Sequence, residues 1–375
     1  MTVISLPVRP LPAVAEELRA QVRGFLQRTE FTPQVDSWIY GYDREFSRAL
    51  GAAEFLGMTW PKQYGGHERS AFERFVVIEE LVAAGAPVAG HWIADRQFGP
   101  SLLNNGTEEQ KQAFLPLIAA GELYTAAGLS EPDAGSDLAN VATRGTRVEG
   151  GWRLNGQKIW TSGAHLSGVV VVLARTAERT ENRHAGMTQF LVELPAEGVT
   201  IRPITQYMGA ADFNEIFFDD VFVPDSRVLG AVGEGWTQAT SELSYERSGA
   251  ERFLSPLPLI RELESTDEPS TDQTVVEAVA RVRLLRSNSI AVAGLLDEGA
   301  QPIIEAALIK DVGTDFEQRT VHNALRTSSA VPNPQSKDAL ARYLAQGVLR
   351  SPTFTLRGGV NDILRGIIAK AVGLR

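Results

Sequence analysis

Between residues 13 and 121 apolar side chains recur every three or four positions, which lays them on one face of a helix. Val14–Leu26, Phe46–Leu56, Phe72–Ala84 and Glu108–Ala120 each read as a helix of this kind. The last is announced by Thr107-Glu108-Glu109-Gln110, since a threonine and a glutamine three residues on can satisfy the free amides of a helix start. Trp60-Pro61-Lys62-Gln63-Tyr64-Gly65-Gly66 breaks this pattern as a rigid turn. From Tyr124 to Leu229 the texture changes. Val169–Leu173, Thr188–Glu193, Val199–Ile204 and Asn214–Val223 are rich in Val, Ile and Phe and bounded by Gly or Pro, so they read as strands. Leu154–Gly163 reads as a tight turn at Asn155-Gly156 followed by a strand with a Trp-Thr-Ser edge. Helical spacing resumes at Trp236 and runs to the C-terminus, and 180–184, 264–272 and 330–337 are the least structured stretches. The order helix, strand, helix predicts a multidomain α+β chain with a helical domain over residues 1–122, a β-rich domain over 123–230 and a second helical domain over 231–375.

Composition narrows the function. The chain has 375 residues, 43% hydrophobic and 22% charged, which suits an ordinary globular protein with a large core. A formal net charge of −10 argues against nucleic acid or an anionic membrane as partner, while leaving room for a local basic pocket. With no cysteine there is no disulfide, thiol nucleophile or thiolate metal site. The histidines, His67, His91, His165, His184 and His322, show no metal-ligand spacing, so no metal site is expected and they read as structural or surface residues. The N-terminus lacks the basic and apolar regions of an export signal, and no stretch reaches the roughly 20 apolar residues of a membrane span. A cytoplasmic protein is expected.

Candidate chemistry is concentrated in Gly128-Leu129-Ser130-Glu131-Pro132-Asp133-Ala134-Gly135-Ser136-Asp137. Small residues and hydroxyls there let backbone amides approach a polar, planar ligand, although the same residues also make an ordinary turn. Taken with Leu154-Asn155-Gly156-Gln157-Lys158-Ile159-Trp160-Thr161-Ser162-Gly163, this loop resembles the flavin-contacting signature of the acyl-CoA dehydrogenase family. Pro61–Gly66 is similar to the family's Pro-x-x-Tyr-Gly-Gly element, and Asp219-Asp220-Val221-Phe222-Val223-Pro224 to its β-domain exit. The tail Gly358–Ala369 is similar to the ending Gly-Thr-x-Glu-Ile-x-Arg-x-x-Ile-Ala. The resemblance implies an acyl-CoA dehydrogenase-like fold with a helical N-terminal domain, a central β-domain and a C-terminal four-helix bundle. It also implies FAD as cofactor, an acyl-CoA thioester as substrate and an electron-transfer flavoprotein as electron acceptor.

Desaturating a thioester requires a base for the α-proton, donors for the carbonyl oxygen and a flavin for the β-hydride. In much of the family a Glu immediately before the tail's Gly-Thr is the base; here that position is Gly358, which leaves the space open. The isovaleryl-CoA and long-chain type of member instead carries the base just after the β-domain, beside an Arg. The match here is Glu246-Arg247, so the resemblance implies Glu246 as base, tuned by Arg247, with the Gly358 N–H still available as an oxyanion donor. Taken alone, a Glu-Arg pair on a helix is a solvated one. By the same resemblance Leu129 and Ser130 would line the isoalloxazine edge. Gly135 belongs to the same loop, Ser136 would sit where flavin phosphate and pantetheine meet, and Trp160, Thr161 and Ser162 would cover the other face, with a β-domain core residue as the plainer reading of Trp160.

The chain departs from the family in the C-terminal bundle. Residues 264–273 carry acids where an Arg and Phe-Gly would hold the FAD pyrophosphate, and acids repel a pyrophosphate. Residues 327–334 lack the Gly-Gly-x-Gly turn, Val360 replaces a cofactor-facing Thr, and Arg357 replaces an aromatic. Arg357 reads as a surface salt bridge, or as a contact to an extra polar group on the substrate. A homotetramer would lack half of each FAD site, so the expected assembly pairs this chain with a second acyl-CoA dehydrogenase-like subunit. The chain resembles subunits of bacterial α2β2 members, several of which act on steroid-derived CoA thioesters. Two other readings stand beside a dehydrogenase: a catalytically silent subunit completing a partner's FAD site, and a flavin oxidase or monooxygenase on the same fold. No residue placed from sequence defines the acyl group.

Overall fold

The computed structural model describes residues 4–207, 209 and 211–374, and of residues 241–246 the backbone alone. In chain order the first helices are α1 (Ala13–Arg28), α2 (Ser37–Tyr40), α3 (Arg44–Ala52), α4 (Ala71–Ala83), α5 (Ala89–Ile93), α6 (Gly99–Asn105) and α7 (Glu108–Ala119). Strands follow: β1 (Thr125–Gly128), β2 (Arg144–Val148), β3 (Gly151–Ser162), β4 (Val169–Arg175), β5 (Met187–Glu193), β6 (Val199–Ile204), β7 (Phe213–Pro224) and β8 (Val228–Leu229). The chain ends in α8 (Gly235–Glu246), α9 (Leu257–Glu264), α10 (Pro269–Asp297), α11 (Ile303–Thr327), α12 (Ala339–Arg350) and α13 (Asn361–Ala371). These elements form two compact units. One contains residues 1–42, 69–88 and 244–375; the other contains 43–68 and 89–243.

The second unit is built on a sheet in the order β6-β7-β3-β2-β4-β5-β8, with β1 added in parallel to β4. Every residue of β4 is buried, as are all but the last of β5, which is why Val169–Ala174 is apolar without alternation and why even Thr188 and Gln189 of β5 lie inside. Leu154, Val170, Val172, Phe190, Ile216 and Phe218 fill the core, with the Phe190 ring edge-on to Trp152 at 5.6 Å. The capping box expected at Thr107 is present: its hydroxyl accepts from the Gln110 amide at 3.2 Å and Gln110 accepts from the Thr107 amide at 3.1 Å. Asn155-Gly156 is not the tight turn read from sequence. β3 runs through it as a bulge against β7, where Gly156 takes φ +148 and a Cβ would sit 2.6 Å from the Thr143 hydroxyl. Strands β1 and β2 escape the sequence pattern because one is a short Ala/Gly run and the other is mostly polar.

In the first unit α1 packs on α4, α4 on α10 and α10 along α11. Glu79 and Glu80 are buried on α4, and their carboxylates are matched by Arg19 and Arg23 of α1 and Arg286 of α10. The end of the 264–272 stretch is helical, since Pro269 opens α10, where its missing amide costs nothing. Replacing Phe190 with Ala leaves a void in a fully buried site and should cost about 3–5 kcal/mol, measured by chemical denaturation.

Candidate functional site

The loop after β1 and the end of β3 are fastened to each other. The Ile159 amide donates to the Ser130 carbonyl at 2.9 Å, and Lys158 Nζ donates to the Leu129 carbonyl at 3.0 Å. Glu131 turns the loop back through paired backbone bonds with Ala134, leaving Gly135 and Ser136 exposed on the stretch beyond. Beneath the loop lies a buried ion pair. Lys158 is wholly buried and donates to Glu131 Oε1 at 2.7 Å, while Glu131 also accepts from the amides of Ala142 at 2.6 Å and Thr143 at 2.9 Å. Burial lowers the Lys158 ammonium to about 8 against the pull of Glu131. Burial pushes the Glu131 carboxyl up, but Lys158 and the donors around it outweigh that and hold it below its ordinary 4.5.

That ion pair dictates how β3 ends. Side chains three apart in a regular strand point to opposite faces, yet Lys158 and Thr161 are both buried. Between them the pairing with β7 slips by one residue, so that Lys158 faces Ile216 and Thr161 faces Asn214. The slip is absorbed at Trp160, which takes φ +59, an uncommon and strained conformation for a bulky residue. Its indole is thrown outward, 58% exposed, and stands edge-on to Phe213 at 6.2 Å. Thr161 is 1% exposed, and its hydroxyl has no hydrogen-bond partner among the described residues. Asn214, wholly buried, donates to the Thr161 carbonyl at 3.0 Å. Ser162 is half-buried at the end of the strand. Leu129, Ser130, Trp160, Thr161 and Ser162 thus belong to one fastened surface, with Gly135 and Ser136 further along its loop. Glu131, Lys158, Asn214 and the strain at Trp160 were not signalled by the sequence.

The other candidate residues belong to the helical unit. Glu246 closes α8, and its carboxylate lies outside the described residues. Arg247 is buried, and its Nε donates to the Gly358 carbonyl at 3.0 Å. Gly358 takes φ +68, and the space beside it is not open: a Cβ there would stand 2.7 Å from Nη2 of Arg252, which is itself completely buried. Lys310, also fully buried, donates to the Gly359 carbonyl and to the Asn361 side chain, both at 2.6 Å. Arg357 is neither a surface salt bridge nor solvent-facing. Its guanidinium pairs with Asp36 and Glu317, both wholly buried, because the side chain turns inward although the neighbouring Leu356 is exposed. His91 is buried against Ser47, its Nδ1 3.0 Å from the hydroxyl, and burial lowers it to about 4.

The residues at the end of β3 suit a planar, polar cofactor. The outward indole offers a stacking face, the Thr161 hydroxyl is an orphaned polar atom, and the Leu129–Ser130 backbone is held rigid.

This sheet-borne site flanked in sequence by helices defines the class. Family models for the acyl-CoA dehydrogenase N-terminal domain and middle domain match residues 13–122 and 126–221. The chain belongs to the acyl-CoA dehydrogenase family, with its helical N-terminal domain, central sheet domain and helical C-terminal region, and is an oxidoreductase of that type. Among particular relatives, acyl-CoA dehydrogenase IpdE1 of Mycobacterium tuberculosis is 34% identical over 378 residues, covering 95% of this chain and 97% of that protein. The Tcur3481-Tcur3483 steroid ACAD superposes with a TM-score of 0.87 at 29% identity over 98% of each chain. The ChsE4-ChsE5 complex from Mycobacterium tuberculosis gives a TM-score of 0.83 at 28% identity, covering 97% of this chain and 98% of that one. No described helix is long and apolar enough to cross a membrane.

Removing one partner of a buried ion pair strands the other, so Lys158→Met should cost about 3–5 kcal/mol in chemical denaturation. Glu131 has a depressed folded pKa, so its stabilisation is full above the ordinary 4.5 and is lost as pH falls through the lowered value. The stability gap between the natural protein and Glu131→Gln should therefore be widest above about pH 4.5 and close in more acid solution, read from denaturation curves at a series of pH values.

Proposed function

We propose that this chain carries the isoalloxazine pocket and the base of an FAD-dependent acyl-CoA dehydrogenase that works as a heteromer. The observation that carries the cofactor reading is the bulged end of β3, where an exposed, strained Trp160 adjoins the unpartnered Thr161 hydroxyl. Leu129, Ser130, Trp160, Thr161 and Ser162 would hold the flavin ring, and Gly135 and Ser136 the region toward its phosphates and the pantetheine. When bound, FAD supplies a two-electron hydride acceptor. The chain's own role is to take the α-proton on Glu246 and to donate the Gly358 N–H to the thioester oxygen, stabilising the negative charge that develops there. Arg247 keeps its proton throughout and holds the Gly358 carbonyl.

The heteromer reading is supported by what stands where an FAD-binding arm would be. Glu268 accepts from the Ser329 amide at 2.9 Å and also binds its hydroxyl, and the Thr274 and Thr327 hydroxyls meet at 3.2 Å. The two divergent stretches thus bind each other and present acid rather than a guanidinium. Neighbours described as a steroid ACAD and as a ChsE4-ChsE5 complex support a two-subunit assembly and a steroid-derived CoA thioester as substrate class. Electron-transfer flavoprotein is the proposed acceptor.

The test is the visible spectrum of the protein purified alone and co-expressed with a second subunit of the same family. Flavin absorbance only in the co-purified sample is expected, and yellow protein from the chain alone would overturn the split site. In the flavin-loaded complex Glu246→Gln should retain the flavin spectrum and lose at least about 10²-fold in turnover. Undiminished turnover would instead identify this chain as a silent subunit.

A further inference from the structure

We propose that Arg357, held between Asp36 and Glu317, is a positioning residue that fixes the Gly358–Gly359 turn. Four separate segments meet at its guanidinium. Nη1 donates to Asp36, ahead of α2; Nη2 donates at 3.0 Å to both the Ser255 hydroxyl and Glu317 Oε2 of α11. Glu317 Oε1 in turn accepts the Ser255 amide at 2.8 Å. The guanidinium carbon lies 4.4 Å from the Trp38 ring centre and 4.5 Å from that of Phe354. Trp38 donates its indole N–H to Ser255 at 3.1 Å and also lies 4.7 Å from the guanidinium carbon of Arg252, the residue that fills the space beside Gly358.

The turn is therefore gripped on several sides. Arg247 holds the Gly358 carbonyl and Lys310 the Gly359 carbonyl, while Arg357 ties the residue immediately before them into a wholly buried pair of carboxylates. Burial this deep is costly unless the charges are matched with correct geometry. A planar fork that reaches both carboxylates and stacks on an indole meets most of that demand, leaving Asp36 Oδ2 and its own Nε without a hydrogen-bond partner among the described residues, and a lysine meets less of it. Burial raises both carboxylates, Glu317 to about 7, and the Arg357 guanidinium is the largest influence opposing that rise in each. The catalytic consequence rests on the reading above that the Gly358 N–H serves the thioester oxygen, since small displacements of such a donor slow the reaction steeply.

The test uses the flavin-loaded complex with an acyl-CoA panel and an artificial electron acceptor, together with hydrogen exchange on residues 354–362. Arg357→Met and Glu317→Gln should each lower kcat at least about tenfold with KM changed less than about twofold. Exchange should rise in 354–362 and stay unchanged in α10, and Arg357→Lys should recover some of the loss. Folded Glu317→Gln with wild-type kcat would overturn the proposal, whether or not its exchange changed. If Arg357→Met fails to fold, Glu317→Gln decides. A natural complex that oxidises no acyl-CoA would sink the functional reading instead, and the exchange rates would still decide whether Arg357 anchors the turn.

Discussion

The Lys158–Glu131 ion pair is the constraint from which the rest of the sheet-borne site follows. An ammonium can be housed inside a sheet only if a carboxylate and carbonyls meet it there, and Glu131, with the Leu129 carbonyl, does so. Meeting it draws the loop after β1 down onto β3. Pointing Lys158 inward while Thr161 also points inward then forces one residue out of register, and that residue is Trp160. A loop with rigid backbone donors and an outward indole are thus two results of one electrostatic requirement.

Much of this was legible beforehand, and the reason differs by element. The apolar run of β4 and the cap at Thr107 are local signals, set by residues close in sequence. The Leu129–Ser136 and Trp160–Ser162 stretches were readable as short motifs whose residue types suit a planar ligand. What stayed hidden depends on distant partners. Lysine is rarely buried, so nothing near Lys158 announces that Glu131 will cover it. Arg357 reads as a surface residue because Asp36 and Glu317 lie far away in the chain and only the fold gathers them. Asn155-Gly156 carries the letters of a tight turn, but the continuing ladder to β7 makes it a bulge.

The helical unit shows the same economy in another form. Its buried charged groups each meet partners of opposite polarity: Glu79 and Glu80 meet three arginines, Asp36 and Glu317 share Arg357, and Lys310 meets carbonyls at the tail. Buried charge of this kind adds little net stability compared with apolar packing, but it tolerates few alternative arrangements. The divergent stretches around Glu268 and Ser329 are by contrast exposed and satisfied by one another.

Gly358 has a consequence for what its position in the chain can accept. A carboxylate at this position demands a Cβ where Arg252 now stands, on a backbone that disfavours any side chain. A substitution there has both to move the Arg252 guanidinium and to hold a left-handed backbone. The first is the lesser obstacle, because Nη2 is the far end of a flexible side chain that a carboxylate would attract, whereas the second follows from the backbone itself. The glycine is therefore fixed by the path of the chain more than by the residue packed against it.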